Sequence, residues 1–422
     1  MISKASLKAI ILDQKSTFNK ELKNYISRDI ESDLHKNINT GFVIIISGIR
    51  RAGKSTLLNR IRNNSKEKNY YLNFDDERLI DFTVSDFQTL IEVFLELYGK
   101  ENTFYFDEIQ NIKGWERFIR RLHDENKNIL LTGSNSSMLS SELGTHLTGR
   151  YLEWTLFPFS FKEFLSFNKT EIDIKKLTTE NKVLLMKAFN KYFKYGGFPE
   201  YLRTQNPEVL KLLYENIIYR DIITRYNLTK EKSLKDLVHF ISSNIGKEVT
   251  LGSLAKTIGV ANSSTVKDYL SYLENSFLSF ILPKYDYSLK KQLLSPKKAY
   301  LIDPGLINTI GFRFSEDTGR ILENIVFLEL KRKENENFYY KNQNKNECDF
   351  IIKTKNKITK AIQVTNVLEK SNYDRETKGL IEAMDEFNLK EGIIITKEQE
   401  DTIKNGNKTI QILPIWKWLL TN

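Results

Sequence analysis

The segment FVIIISGIRRAGKSTLLNRI, residues 42–61, carries three consecutive signals. Phe42, Val43, Ile44, Ile45 and Ile46 run without polar alternation, the mark of a strand buried on both faces of a parallel sheet. Gly48, Ile49, Arg50, Arg51, Ala52, Gly53, Lys54, Ser55 and Thr56 follow, and then Leu57, Leu58 and Ile61 at helical spacing. Strand, glycine-rich turn and helix are the context that the G-x-x-x-x-G-K-[ST] pattern requires. Glycine at 48 and 53 lets backbone N–H groups close around phosphate oxygens, where a side chain would block the approach. The helix starting near Lys54 brings the positive end of its dipole to the same place. Lys54 is expected to reach the β- and γ-phosphates, and the Ser55 hydroxyl to ligate Mg²⁺. Residues 48–56 are therefore read as a nucleoside-triphosphate site, taking ATP with Mg²⁺; the residues do not separate ATP from GTP.

A second signal lies about fifty residues on, where the apolar residues 103–106 run into Asp107 and Glu108. A buried strand ending in two carboxylates after a P-loop is the Walker B arrangement. Asp107 is expected to hold Mg²⁺ through water, and Glu108 to polarise the attacking water as the base. Residues 128–131 form another strand, ending at Thr132, Gly133, Ser134 and Asn135. A polar side chain at that tip can hydrogen-bond the γ-phosphate or the lytic water. Ser134 and Asn135 are both candidates, and either serves equally well in a helix N-cap run. Strands at 42–47, 69–74, 103–106, 128–131 and 151–157 alternate with helices, which predicts an α/β, doubly wound, mostly parallel sheet.

Composition narrows the partners. The chain of 422 residues has a net charge of +10, so an anionic partner is compatible with it, although a lysine-rich genome produces the same excess. Cys348 is the only cysteine, which excludes an intramolecular disulfide and points to a reducing compartment. Four histidines without common spacing make no recognisable zinc site. No stretch approaches ~20 uninterrupted apolar residues, and the first residues lack a small-residue cleavage site, so the expectation is a cytoplasmic protein without a membrane span.

The stretches GIRRAGKST, FYFDEIQNIKGWE, ILLTGSNSSML, LTGR and LFPFSFKEFL, in order over residues 41–165, resemble a group of bacterial and archaeal AAA-type ATPases with a poorly characterised C-terminal region. YGGFPEY at 195–201, AYLIDPGL at 299–306 and GRILENIVFLEL at 319–330 extend the likeness nearly end to end. The resemblance implies an AAA-type core with a helical lid, acting as an ATPase. It also implies that an arginine just before the fifth strand reaches a neighbouring subunit's γ-phosphate, as in a homo-oligomer. Arg150 matches that position, and an ion pair within the chain is an equal alternative.

Beyond a helical segment at 1–40 and the ATPase core at 41–160, residues 161–228 read as a helical lid interrupted by Gly196 and Gly197, a hinge-like pair. Residues 229–312 read as a winged helix-turn-helix. Its third helix offers Asn262, Ser263, Ser264, Thr265 and Lys267, and its wing loop Lys284, Lys290, Lys291, Lys297 and Lys298. Ser264, Lys267, Lys290 and Lys291 are the candidates for contact with duplex DNA, although Asp268 and Glu274 weaken that reading, and winged helices also serve as packing modules. Residues 313–422 look like the PD-(D/E)xK nuclease fold. Glu323 and Asp349 match its two metal-holding carboxylates, but Gln363 stands where a Glu is usual and Thr365 where the Lys is needed. A nuclease-like domain without efficient cleavage is expected.

Three functions are compatible with this chain. The first is an ATPase coupling turnover to DNA binding or remodelling. The second is a nucleotide-switched scaffold for a protein partner, and the third an ATP-gated nuclease. Asp107 and Glu108 favour turnover over a passive switch, and the missing Lys at 365 disfavours the nuclease.

Overall fold

The computed structural model describes residues 2–21, 25–135, 147, 149–311 and 318–421. It contains two compact units, Met1–Phe157 with Asn275–Phe277, and Pro158–Glu274 with Leu278–Asn422. The expected division at 312/313 lies outside the described residues.

In the first unit, β1 (Val43–Ser47), β2 (Tyr70–Asn73), β3 (Thr103–Asp107), β4 (Asn128–Gly133) and β5 (Tyr151–Thr155) form a five-stranded sheet. Its order is β2-β3-β4-β1-β5, and every pairing is parallel. Both β1 and β3 are buried along their whole length, as their unbroken apolar runs require. The strand order reverses at β1, which lies between β4 and β5. The turn after β1 therefore opens at the carboxyl edge of the sheet at a topological switch point, where open α/β sheets leave a crevice. One aromatic-rich core backs the sheet, with Phe87 stacked on Phe118 at 4.0 Å and Tyr70 on Phe94 at 4.8 Å between ring centroids. Leu7, Ile10 and Ile11 of the helix Lys4–Glu21 belong to this core, so that helix packs onto the first unit's sheet.

The second unit opens with the helices Phe161–Phe167, Thr179–Tyr195, Pro199–Thr204 and Glu208–Asn216, followed by a π-helical segment, Ile217–Thr224. The two glycines read as a hinge have a packing role instead. Gly196 has φ +74°, and a Cβ there would stand 2.0 Å from Asp303 Oδ1; a Cβ on Gly197 would stand 2.3 Å from the Phe159 carbonyl oxygen. The Gly197 N–H donates to Asp303 Oδ2 at 2.6 Å. The YGGFPEY and AYLIDPGL stretches are thus locked to one another.

The helices Glu231–Ser243, Leu251–Thr257 and Ser263–Asn275 accompany a small antiparallel sheet, β6 (Glu248–Val249), β7 (Ser279–Pro283) and β8 (Lys297–Leu301), in the order β6-β8-β7. The segment between β7 and β8 is not a plain loop. Ser288 caps a short helix, Leu289–Leu294, that presents Lys290 and Lys291 to solvent. Lys298, counted with them as a wing lysine, lies inside β8 with its residue 1% exposed. Finally, β9 (Glu336–Lys341), β10 (Glu347–Thr354), β11 (Lys357–Val364), β12 (Glu391–Thr396), β13 (Asp401–Asn405) and β14 (Lys408–Pro414) make a mixed sheet of order β13-β14-β12-β11-β10-β9. The helix Tyr373–Glu386 provides the crossover that the parallel β11–β12 pair demands. Trp416 and Trp418, on the helix Ile415–Thr421, are buried.

Candidate functional site

The first site is built on the carboxyl ends of β1, β3 and β4. Gly48 (φ +142°) cannot be replaced without collision, since a Cβ would sit 2.2 Å from the Leu156 carbonyl oxygen. Gly53 (φ +101°) ends the turn as N-cap of the helix Lys54–Asn63, which is anchored by buried Leu57, Leu58 and Ile61. Between them Arg51 also takes a positive φ, 64°. The backbone of residues 48–53 is thereby wound tightly around the space before the helix. Lys54 Nζ donates to the carbonyl oxygens of Gly48 (2.9 Å) and Ile49 (3.2 Å), and lies 3.6 Å from Glu108 Oε1.

Asp107 is fully buried at the tip of β3, and Glu108 follows it in the left-handed region, φ +52°. That conformation is uncommon for a non-glycine residue. Burial, and then the charge of Glu108, push Asp107 up to about 6, against the hydroxyls of Thr132 and Ser55 and the charge of Lys54. Burial also opposes ionisation of Glu108, but Lys54, Arg50 and contacts with Gln110 and Ser134 outweigh it and hold its carboxyl below the usual range. The neighbouring lysine thus favours the ionised form of Glu108, while burial works against ionisation of Asp107.

Sequence reading missed three residues here. Thr132 Oγ1 donates to Asp107 Oδ1 and accepts from the Glu108 backbone N–H at 3.0 Å, so one hydroxyl fixes both acidic residues. Its strand-tip position is visible in the sequence, but so is that of Ser134 and Asn135 just beyond it. Gln110 Nε2 donates to Glu108 Oε2, and its own side chain is buried. Arg28 is 6% exposed and donates to the carbonyl oxygens of Ala52 (2.8 Å) and Phe157 (2.6 Å), bracing the turn from the N-terminal segment. No local pattern marks Arg28, because its partners are backbone atoms 24 and 129 residues away.

The other candidates separate. Ser134 joins the Glu108 cluster, and Asn135 is buried next to it in sequence. Arg150 does not join: its Nη1 donates to Asp124 Oδ1 at 2.9 Å in an exposed pair. In the second unit, Val266, Tyr269, Leu270 and Leu273 form the buried face of Ser263–Asn275, which leaves Ser264 and Lys267 exposed.

Glu323 and Asp349 do come together, and Glu347, not anticipated, joins them around Lys298. Its Nζ lies 2.9 Å from Glu323 Oε1, 2.8 Å from Glu347 Oε1 and 2.9 Å from Asp349 Oδ1. Burial opposes the charge on Lys298, but the surrounding carboxylates outweigh it and keep the ammonium protonated. Gln363 is not part of this cluster. Its Oε1 accepts from the Asp349 backbone N–H (3.2 Å) and its Nε2 donates to Glu376 (2.8 Å), because it is spent on tying β11 to β10 and to the crossover helix. Thr365 turns its hydroxyl to the Val367 carbonyl. No group of three or more His, Cys, Asp or Glu able to hold a metal ion occurs among the described residues. No helix among them is long and apolar enough to cross a membrane.

Residues 40–165 match the AAA domain family, and residues 186–317 and 318–418 match two families each described as a domain of unknown function, DUF8612 and DUF4143. Together with the parallel sheet and its glycine-rich turn, this defines the class: an AAA-type nucleotide-binding domain followed by two further domains. An uncharacterized protein of Methanocaldococcus jannaschii, MJ1544, is 36% identical over 100% of this chain and 97% of its own length. One from Haemophilus influenzae is 33% identical over 90% of this chain and 95% of its own. The chain belongs to the family of these proteins. Among solved structures, Cdc6p of Pyrobaculum aerophilum covers 74% of this chain and 98% of its own at 12% identity and a TM-score of 0.28. A point variant of RuvB from Thermotoga maritima covers 65% and 93% at 17% identity and a TM-score of 0.29.

Proposed function

We propose that the protein is a Mg²⁺-dependent ATPase, with residues 48–56 as its Walker A turn and Asp107 and Glu108 as its Walker B pair. The observation that carries this reading is the placement of Glu108, 3.6 Å from Lys54 and held by Gln110, beside the buried Asp107. Lys54 exchanges its loop carbonyls for the β- and γ-phosphates, and the backbone N–H groups of residues 48–56 cradle the same oxygens. The donor set fits a divalent ion, since the Ser55 hydroxyl lies beside the buried Asp107 carboxylate. Those two groups would hold Mg²⁺, which neutralises phosphate charge when bound. Glu108 takes the proton of the attacking water, and Ser134 or Asn135 orients the γ-phosphate or that water. Glu108→Gln should lower hydrolysis by about 10²–10⁴-fold and leave ATP binding intact; unchanged turnover would remove Glu108 from the mechanism.

The hydrolysis is proposed to drive binding or remodelling of duplex DNA through residues 229–312, read as a winged helix. The three helices with a three-stranded β6-β8-β7 sheet support that reading, as do the exposed Ser264, Lys267, Lys290 and Lys291. If duplex DNA does not bind in any nucleotide state, the nucleotide-switched scaffold for a protein partner takes precedence.

A further inference from the structure

The resemblance to metal-dependent nucleases leads one to expect a divalent cation between Glu323 and Asp349. The structure puts a different cation there. Lys298 reaches in from β8, a strand of the small antiparallel sheet, and its side chain is 2% exposed. An ammonium has three N–H donors, and here each of three carboxylates lies at 2.8–2.9 Å from it. Those are hydrogen-bond distances. Mg²⁺ draws oxygen ligands to about 2.0–2.1 Å, so a Mg²⁺ ion in place of the ammonium would stand well short of all three oxygens.

The groups behind the carboxylates orient them toward the ammonium. Tyr300 OH donates to Glu323 Oε1 at 2.6 Å, and the Val364 N–H donates to Asp349 Oδ2 at 3.0 Å. Lys341 Nζ lies 3.3 Å from Glu347 Oε2 and 2.6 Å from Glu248 Oε2. Gly246, at φ +70°, closes the last side, where a Cβ would come 2.7 Å from Glu323 Oε2. Glu323, Glu347 and Asp349 are thereby aimed at one point, and the ammonium that occupies it keeps their oxygens at 2.8–2.9 Å.

We infer that Lys298 takes the place of a metal ion, so that the C-terminal carboxylate cluster is a lysine-filled, metal-excluding site that fastens β8 to the helix Thr318–Arg332 and to β10. The same ammonium accounts for a cluster of three acids, two of them buried, in a region where Gln363 and Thr365 replace the residues a nuclease needs. The C-terminal region is then a fixed structural partner of the small sheet, and it does not cleave nucleic acid by a metal-assisted route. This inference stands apart from the ATPase reading, because it involves neither Lys54 nor Asp107.

The test is Mn²⁺ binding by the full nucleotide-free chain, followed by electron paramagnetic resonance of free Mn²⁺ and by thermal unfolding. The native chain and Asp349→Asn should take up the same amount of Mn²⁺, since any binding near the P-loop is common to both. Lys298→Met should gain one further equivalent and a Mn²⁺-dependent rise in unfolding temperature. Both should vanish in Lys298→Met with Asp349→Asn. Uptake by the native chain that Asp349→Asn abolishes would overturn the inference, as would a folded Lys298→Met chain that gains nothing. Should Lys298→Met not fold, Lys298→Met with Glu347→Gln carries one negative charge fewer in the cluster and is judged by the same gain. The native comparison stands in either case.

Discussion

Thr132 shows how much one hydroxyl can organise. It donates to Asp107 and accepts from the backbone of Glu108, so the two acidic residues are positioned by the same atom. Thr132→Val keeps the shape and removes both bonds, leaving Asp107 Oδ1 without this donor and the Glu108 N–H without its side-chain acceptor. That should cost about 1–3 kcal/mol per unsatisfied group in denaturant unfolding and lower hydrolysis, with Thr132→Ser restoring both. A Val variant with native stability and turnover would show that Asp107 and Glu108 hold their geometry without it. Asp303 offers a pH test of the same kind. Burial pushes it up from 3.8 to about 6, against N–H bonds from Gly197, Leu306 and Gly305. The folded chain prefers its protonated form, so as pH rises from about 4 to about 6 the unfolded chain loses the proton first and stability falls. The loss is up to about 3 kcal/mol and persists above that window. Asp303→Asn lacks this titration. The stability difference between native and variant should therefore move against the native chain from pH 4 to 6, and a difference flat with pH would refute the assignment.

At the scale of elements, the segment between β7 and β8 is where charge and fold part company. Lys290 and Lys291 sit on the exposed helix Leu289–Leu294, whereas Lys298, a few residues on, is consumed inside the second unit. If the exposed pair contacts phosphate, each contact contributes about 0.9 to the slope of log affinity against log salt. Replacing both lysines with alanine should then weaken duplex binding and flatten that slope by about 1.8. A weakened affinity with an unchanged slope would point to a structural effect, and no change at all would favour the scaffold reading. The same comparison with Lys267→Ala tests the helix Ser263–Asn275.

At the scale of the whole molecule, the open question is whether copies of the chain complete one another. The Arg150 side chain pairs with Asp124 at the surface, the two side chains being 45% and 53% exposed. Such a pair contributes at most about 1 kcal/mol, so Arg150→Ala should fold normally. If Arg150 serves a neighbour's γ-phosphate, the Arg150→Ala and Glu108→Gln chains should each hydrolyse poorly alone. Their mixture should exceed the sum of the two, because one contributes the arginine and the other the base. Turnover of Arg150→Ala equal to the native chain would leave the residue as a surface ion pair.

The features legible in the chain were those set by local spacing. An unbroken apolar run followed by Gly48, Gly53, Lys54 and Ser55 admits one backbone path, and a strand that ends in Asp107 and Glu108 must present them at the sheet edge. Those elements, the parallel order and the helix-rich region after them could be read because backbone conformation and burial depend on near neighbours. Long-range partners could not. Arg28 bracing Ala52, Asp303 receiving the Gly197 N–H, and Lys298 among Glu323, Glu347 and Asp349 join residues from 24 to 129 positions apart, and nothing in their own neighbourhoods announces the match. A lysine beside Lys297 in a basic stretch reads as a solvated charge. It becomes the cation of an acidic cluster only when β8 is laid against the C-terminal sheet, because in low dielectric three converging carboxylates require a counter-charge, and the folded chain brings its own.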